Sequence, residues 1–178
     1  MKPLQSIVSR TVIQTQRWFD HLRRYLTGVP SAKRSEITPQ LYIGGQFFEH
    51  GLDDLQKWGI GAVVNMREES KPHAFSQVPW LKTLHLPTPD HHAPTLTQLQ
   101  SGVDFISDQI TQGKKVYIHC RAGEGRAPTM AAAYLISKGI ALDDALLLLK
   151  SARPFIALSI DQTRILLQWE KRFQQNLS

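Results

Sequence analysis

The sequence has only one cysteine, Cys120, among 178 residues, and no apolar run long enough to cross a membrane. A single cysteine excludes an internal disulfide and a zinc site built from cysteine pairs, so we expect a reduced thiol. The longest aliphatic run, residues 145–149, is far shorter than the ~18 residues of a membrane-spanning helix. Without such a helix or a recognisable signal peptide, we expect a soluble, cytoplasmic protein.

Acidic residues are almost absent from the first 34 positions. Seven Lys or Arg residues stand there against Asp20 alone, whereas residues 35–178 hold 14 basic and 14 acidic residues. The formal net charge of +6 therefore belongs to the N-terminal segment. A nucleic-acid-binding domain carries its positive charge on the folded body, so we expect no nucleic-acid partner.

Residues 1–34 are interpreted as a basic amphipathic helix and a linker, separate from the domain that follows. Gly28 and Pro30 end the helix. The simplest interpretation is a helix that packs its apolar stripe on the domain and leaves its arginines in water. Two alternatives stay open: a peripheral membrane contact through residues 4–26 on anionic lipid, and an organelle-targeting sequence. The residues of the stripe recur near helical spacing and are Leu4, Ile7, Val8, Val12, Trp18, Phe19, Leu22, Tyr25 and Leu26.

Residues 35–178 alternate short apolar runs with amphipathic stretches, which predicts one α/β domain. The predicted strands are 41–43, 62–66, 83–86 and 116–119. The predicted helices are 51–58, 95–111, 126–138, 142–152 and 160–174. Strands of this kind indicate a buried, mostly parallel sheet of four to five strands flanked by helices. Loops 71–79 and 87–94, rich in Pro and His, are places where functional residues are often found.

Residues 114–130, with the sequence KKVYIHCRAGEGRAPTM, combine a strand, a turn with two glycines and an Ala-rich helix. A loop at such a strand-to-helix turn can point its backbone N–H groups inward. The positive end of the following helix adds to them and completes a cradle for a phosphate group. The same field favours the thiolate form of Cys120. The predicted phosphate-binding loop consists of Arg121, Ala122, Gly123, Glu124, Gly125 and Arg126.

Three positions of this loop carry specific expectations. The planar guanidinium of Arg126 can bind two phosphate oxygens at once and stays charged. Gly123 and Gly125 allow the backbone to turn tightly. Glu124 is expected to face outward, where it would oppose strongly anionic substrates.

The pattern His119-Cys120-x5-Arg126 resembles the signature loop of the cysteine-dependent protein phosphatases, and the compact dual-specificity branch is the most similar. The resemblance covers about residues 36–175 and is carried by segments 37–39, 41–44, 63–67 and 153–156, with Gln162. Within the branch, segments 86–90 and 94–96 resemble the acid loop of the mitochondrial phosphatidylglycerophosphate phosphatases. Segment 126–128 resembles plant glucan phosphatases. The resemblance implies a dual-specificity-phosphatase-like catalytic domain over residues 35–178.

The resemblance also implies a role for each residue. Cys120 would attack phosphorus and form a cysteinyl-phosphate, while Arg126 and the loop amides stabilise the charge of the transition state. Asp90 would protonate the leaving oxygen and later deprotonate the hydrolytic water. His119 is expected to be buried and to hydrogen-bond the loop backbone, and Gln162 either orients the water or only begins a helix. No metal or other cofactor is implied.

One residue departs from the pattern, because Ala127 stands where many relatives have a hydroxyl that helps the thiolate leave. Slow turnover is therefore expected, and Thr129 is not expected to supply the missing hydroxyl. A non-catalytic phosphate-binding module stays open as an alternative function.

The substrate class follows less directly from the sequence. About 144 residues leave no room for long insertions, so a shallow site that accepts several phosphoesters is expected. Proteins carrying phosphotyrosine, phosphoserine or phosphothreonine are the first expectation. A phospholipid, either phosphatidylglycerophosphate or a phosphoinositide, and a phosphoglucan are alternatives, since fold alone does not choose among them.

Overall fold

A computed structural model describes residues 2–69 and 78–175, and side chains within residues 10–69 and 78–173. Most of the predicted loop 71–79 and the side chains of Leu4, Ile7 and Val8 lie outside the described residues. The elements are, in order, α1 Lys2–Thr27, α2 Ala32–Ser35, β1 Glu36–Thr38, β2 Leu41–Gly45, a 3₁₀ turn Glu49–Gly51, α3 Leu52–Lys57, β3 Ile60–Arg67, β4 Lys82–Thr88, α4 Leu96–Thr111, β5 Lys115–Cys120, α5 Arg126–Ser137, α6 Leu142–Ala152 and α7 Ile160–Gln175.

The five strands form one sheet in the order β1-β2-β5-β3-β4. Strands β2, β5, β3 and β4 are parallel, and β1 pairs antiparallel with β2 at one edge. This arrangement confirms the predicted mostly parallel sheet. Since parallel strands end at the same edge of a sheet, the loops that follow Gly45, Arg67, Thr88 and Cys120 begin there.

Helix α5 packs in the larger of two cores, in contact with β5, α4, α6 and α7. Every residue from 126 to 136 is buried. Ala131, Ala132 and Ala133 are small, so the neighbouring helices can pack closely against α5. The indole Nε1 of Trp169 on α7 donates a hydrogen bond to the Ala133 carbonyl at 2.9 Å. This packing fixes the start of α5, where the predicted phosphate-binding loop ends.

The predicted strands and helices of residues 35–178 are all present, with ends that shift by a few residues. The 3₁₀ turn replaces the start of the predicted helix 51–58, and a one-turn helix, α2, lies in the predicted linker. Within residues 2–69 and 78–175, no helix combines the length and the apolar character that crossing a membrane requires.

Helix α1 is present, but it packs on the domain through the face opposite to the predicted one. Asp20 and Arg24 are buried, while the predicted arrangement placed its arginines in water. The apolar side chains expected to be buried are exposed instead; they are Val12, Trp18, Phe19, Leu22, Tyr25 and Leu26. The prediction was wrong because the domain surface under α1 presents carbonyl oxygens and a carboxylate, which require hydrogen-bond donors.

Candidate active site

The loop after β5 turns sharply at Gly123, whose φ of +72° favours glycine. A Cβ atom at this position would overlap the backbone carbonyl of Gly44 in the neighbouring strand β2. Cys120 pairs in register with Gly45 of the same strand. Glycine at position 123 therefore allows the loop to close against β2 directly beside the cysteine.

Hydrogen bonds from outside the loop hold its carbonyl groups outward. They run from Arg24 Nη1 to the carbonyl of Arg121, from Arg153 to those of Ala122 at 3.0 Å and Gly123 at 2.9 Å, and from Ala157 N to that of Glu124 at 2.8 Å. Each trans peptide plane directs its N–H opposite to its C=O. Four successive peptide N–H groups therefore face the interior of the loop, as a phosphate cradle requires.

The sulfur of Cys120 lies at the base of this cradle. The backbone N–H of Gly123 donates to its Sγ at 3.3 Å. Cys120 is buried and lines a cavity of about 530 Å³ together with Asp90, Arg126 and Gln162. The three residues predicted to be catalytic thus meet in one cavity, where an inward N–H contacts the sulfur.

The buried guanidinium of Arg126 binds two carboxylates and one carbonyl. Nη1 donates to Glu69 Oε2 at 3.0 Å and to the carbonyl of Thr88 at 2.8 Å. Nη2 lies 3.2 Å from Glu69 Oε1 and 2.9 Å from Asp90 Oδ1. Burial acts to lower the pKa of Arg126, but the surrounding negative groups raise it. Only Nε–H has no partner among the described residues, and this buried donor is available to an anion.

Glu69 is a site residue that the sequence analysis missed. Partial burial acts to raise the pKa of its carboxyl, but hydrogen bonds from Arg126 and Arg67 lower it to about 2. Glu69 is therefore ionised at neutral pH and orients the guanidinium of Arg126. A signal was present, because Glu69 follows β3, and the parallel neighbours β3 and β5 end at the same edge of the sheet.

Asp90 lies in the turn after β4, with its side chain half exposed at the mouth of the cavity. The next residue, His91, has a φ of 63°, in the left-handed region that turns the chain. Gln98 Nε2 holds the start of this loop by donating to the carbonyl of Pro87 at 2.8 Å. Asp90 is thereby placed over the cradle. In the described ranges, no group of three or more His, Cys, Asp or Glu side chains could hold a metal ion.

His119 and Gln162 are both buried beside the loop. Burial lowers the pKa of His119 to about 3, so its imidazole is neutral. A hydrogen bond with the backbone of Cys120 opposes this lowering, in line with the predicted bond to the loop backbone, while Nδ1 has no partner among the described residues. Gln162 Oε1 accepts from Ser159 N at 2.9 Å, and its Nε2 donates to the carbonyl of His92 at 2.9 Å. Gln162 therefore begins α7, as one interpretation predicted, and also holds the Asp90 loop.

The family model of the dual specificity phosphatase catalytic domain matches residues 41–172. The chain belongs to this family. It is a cysteine-dependent phosphatase.

Individual relatives support the same assignment. The chain is 29% identical over 175 residues to phosphatidylglycerophosphate phosphatase PTPMT2 of Arabidopsis thaliana, covering 95% of this chain and 70% of that protein. It is 30% identical over 139 residues to dual specificity protein phosphatase 1-B of Xenopus laevis, covering 77% of this chain but only 37% of that protein. The crystal structure of Tk-PTP in the active form has a TM-score of 0.72 and 30% identity, covering 78% of this chain and 96% of that one.

Glu124 of the phosphatase does not face solvent as expected. Its carboxylate binds Arg17 Nε at 2.7 Å and lies 3.1 Å from His21 Nε2, and its side chain is only 16% exposed. The expectation was wrong because α1 covers this side of the loop. The Arg17 guanidinium largely neutralises the charge of Glu124, so this carboxylate opposes an anionic substrate only weakly.

Helix α1 forms one wall of the phosphatase cavity, through Arg17, His21, Arg24 and Tyr25. The expectation of a shallow site took account only of residues 35–178 and therefore omitted this wall. Three of the four side chains are basic or can become so. Arg17 is paired with Glu124, and Arg24 donates to the loop carbonyl of Arg121 beside the cavity.

The start of α5 shows why Thr129 cannot replace a hydroxyl at Ala127. The Thr129 hydroxyl donates to the carbonyl of Gly125 at 2.9 Å, one turn back along the helix. It is therefore not free to donate to Cys120. Ala127 is fully buried and has no donor of its own.

Proposed function

We propose that the protein hydrolyses phosphomonoesters of phosphotyrosine, phosphoserine and phosphothreonine proteins, with Cys120 as nucleophile. One observation carries the proposal: the sulfur of Cys120, the available Nε–H of Arg126 and the carboxyl of Asp90 share one cavity. A phosphate-binding module without turnover would need the cradle and Arg126. It would not need a carboxyl above them.

In the first step the thiolate of Cys120 attacks phosphorus. The S–P bond forms, the bond from phosphorus to the ester oxygen breaks, and Asp90 transfers its proton to that oxygen. The inward N–H groups of the loop and the guanidinium of Arg126 stabilise the equatorial oxygens. The products of this step are the free alcohol and cysteinyl-phosphate.

Binding of substrate also releases Asp90 for this role. A phosphoryl group that takes two donors from Arg126 uses the free Nε–H and an N–H of Nη2, the group that now binds Asp90 at 2.9 Å. The phosphate therefore displaces Asp90 from Arg126. The carboxyl can then turn toward the leaving oxygen.

In the second step a water molecule attacks phosphorus. Asp90, now a carboxylate, accepts a proton from the water, the S–P bond breaks, and the thiolate and inorganic phosphate are released. The carboxamide of Gln162 lines the cavity and already holds one bond at each polar atom. Each atom retains one hydrogen-bonding position, with which Gln162 can orient the water.

The test is hydrolysis of para-nitrophenyl phosphate by the full chain. We expect turnover that vanadate inhibits, none in Cys120→Ser, and a loss of about 100-fold or more in Asp90→Ala. Phosphate trapped on Cys120 in Asp90→Ala identifies the intermediate. Asp104→Ala, an exposed aspartate on α4, is the matched control and should behave as the native chain does. Absence of hydrolysis with every phosphoester tried would refute the proposal.

A phospholipid monoester is the second candidate substrate. The observation that favours it is the wall that α1 adds to the cavity, which places Arg24 beside the cradle. PTPMT2, named a phosphatidylglycerophosphate phosphatase, aligns with 95% of this chain. Phosphopeptides, phosphatidylglycerophosphate, phosphoinositides and phosphoglucan, compared at equal concentration, separate the substrate classes. The compound class with the highest kcat/KM is then assigned as the substrate class of the protein.

For location, we propose the cytoplasm with peripheral membrane contact. Organelle targeting by α1 is the alternative. A fluorescent protein fused behind residues 1–34 tests it, because a targeting sequence carries the fusion into an organelle. Diffuse fluorescence would argue against targeting.

A further inference from the structure

The outward side of α1 carries six large apolar side chains within 15 residues. We call this surface the outer face; it consists of Val12, Trp18, Phe19, Leu22, Tyr25 and Leu26. Trp18 and Tyr25 are each 65% exposed, and Leu26 is 72% exposed. A clustered apolar surface of this kind marks an interaction site, because monomeric proteins rarely leave one in water.

The helix cannot roll to bury this face. On the opposite side, the buried Asp20 binds Arg153 Nη2 at 2.8 Å, and the buried Arg24 donates to the carbonyl of Arg121. At the end of the helix Gly28 packs so closely on Gly51 that a Cβ atom would overlap its backbone. The contacts therefore hold α1 with the outer face turned away from the domain.

The charges near the outer face select its partner. Arg23 follows Leu22 directly along the helix, Arg10 is exposed two residues before the face begins, and Asp20, the sole acidic residue among residues 1–34, is turned inward and paired. Two copies that met through this face would bring like charges together. Trp, Tyr and Leu beside arginine are typical of helices that lie in the interface of anionic membranes.

We infer that α1 docks on an anionic phospholipid bilayer, with its outer face in the interfacial region of the lipid. The inference deepens the proposed peripheral membrane contact, and docking can be measured in Cys120→Ser without any turnover. Arg17 and His21 line the cavity from the other side of the same helix. Docking would thus hold the cavity one helix diameter, about 10 Å, from the lipid surface.

Vesicle co-sedimentation of the full-length Cys120→Ser chain tests the inference. Vesicles of phosphatidylcholine with phosphatidylglycerol should bind at least about tenfold more strongly than phosphatidylcholine alone. Added salt should weaken this binding, because salt screens the arginines. Absence of binding to the anionic vesicles overturns the inference.

A triple variant tests the outer face itself. Trp18→Ser with Leu22→Ser and Leu26→Ser should lower vesicle binding by at least about tenfold, because three apolar side chains leave the lipid. The matched control replaces three exposed aliphatic residues elsewhere, Leu147→Ser with Ile160→Ser and Leu167→Ser. The control should bind as the parent does. Unchanged binding of the outer-face variant, or equal loss in the control, overturns the inference.

Two measurements keep folding and self-association separate from docking. Built in the native Cys120 background, both triple variants should retain hydrolysis of para-nitrophenyl phosphate, which needs no membrane.

Lipids brominated in the acyl chain should quench the tryptophan fluorescence of the parent. Trp18→Tyr keeps an aromatic ring, so it should still dock but should lose this quenching. Sedimentation equilibrium that shows a dimer abolished by the outer-face variant, without vesicle binding, would assign the face to a second copy and overturn the inference. Failure of the proposed function would appear instead as absent hydrolysis with docking intact.

Discussion

Asp20 on α1 forms a buried ion pair with Arg153, which in turn holds two carbonyl groups of the phosphate-binding loop. The distance from Asp20 Oδ2 to Arg153 Nη2 is 2.8 Å. The same guanidinium donates to the carbonyls of Ala122 and Gly123. The conformation of the loop therefore depends on a residue of the N-terminal helix.

We expect Asp20→Ala to lower the free energy of unfolding by about 3 kcal/mol, because it leaves a buried guanidinium without its counter-charge. Hydrolysis of para-nitrophenyl phosphate should fall as well, since Arg153 then holds the loop less firmly. Urea denaturation gives the first quantity and kcat the second. The control is Asp161→Ala, which breaks an exposed pair with Arg164 and should cost at most about 1 kcal/mol. Equal effects of the two variants would contradict the role of Asp20.

Gly123→Ala should damage the loop more than its backbone conformation alone explains. A Cβ atom at Gly123 overlaps the backbone of Gly44, so β2 and the loop must separate. We expect kcat/KM to fall about 100-fold, as reacting groups move out of position. Gly113 has a similar φ of +78° with no atom within 4 Å of the added Cβ, so Gly113→Ala measures the conformational cost alone, about 1–2 kcal/mol. A normal kcat/KM in Gly123→Ala would contradict the steric argument.

Glu69→Gln should reduce kcat/KM about tenfold, because Arg126 loses the charge that orients it. It should also lower stability in a pH-dependent way. The pKa of Glu69 lies at about 2 in the folded protein, below its ordinary value of 4.5. The stability that the carboxylate contributes is therefore complete above pH 4.5 and is lost as the pH falls toward 2. Denaturation of both proteins across this range checks the prediction, with the exposed Glu49→Gln as control. A stability difference that does not change with pH would contradict it.

The sequence predicted the sheet, the helices and the meeting of Cys120 with Arg126, because these follow from local periodicity and from one continuous motif. It did not predict the partners of Glu69, Glu124 or Asp20. These depend on which polar atoms face one another after the elements have packed. The buried face of α1 was predicted from hydrophobicity alone. The loop carbonyls that accept hydrogen bonds from its polar side cannot be predicted from residue types.

His119 should make stability depend on pH over a range that overlaps that of Glu69 and extends above it. Its pKa is about 3 when folded, against an ordinary value of 6.5, so the unfolded chain binds a proton that the folded protein excludes. Stability should therefore fall as the pH decreases from 6.5 to 3, by up to about 1.4 kcal/mol per pH unit from this residue. His119→Phe keeps the ring contact with Phe47 and removes the titration. Its unfolding free energy should vary less with pH over this range, and an unchanged slope would contradict the assignment.

Ala127→Ser should accelerate release of phosphate from Cys120. A hydroxyl at the start of α5 can donate to the departing thiolate. A hydrogen bond to a charged group contributes about 1.5–3 kcal/mol. Where breakdown of the intermediate limits the rate, this energy corresponds to a rise in kcat of about tenfold or more. Rapid-mixing measurements should show a burst of para-nitrophenol in the native chain, followed by slow turnover. In Ala127→Ser the rate of the burst should differ less from the steady-state rate. Ala131→Ser adds the same hydroxyl to another buried position of α5 and should leave kcat unchanged. If the native chain shows no burst, breakdown of the intermediate is not the slow step, and the hydroxyl that Ala127 lacks is not what limits this phosphatase.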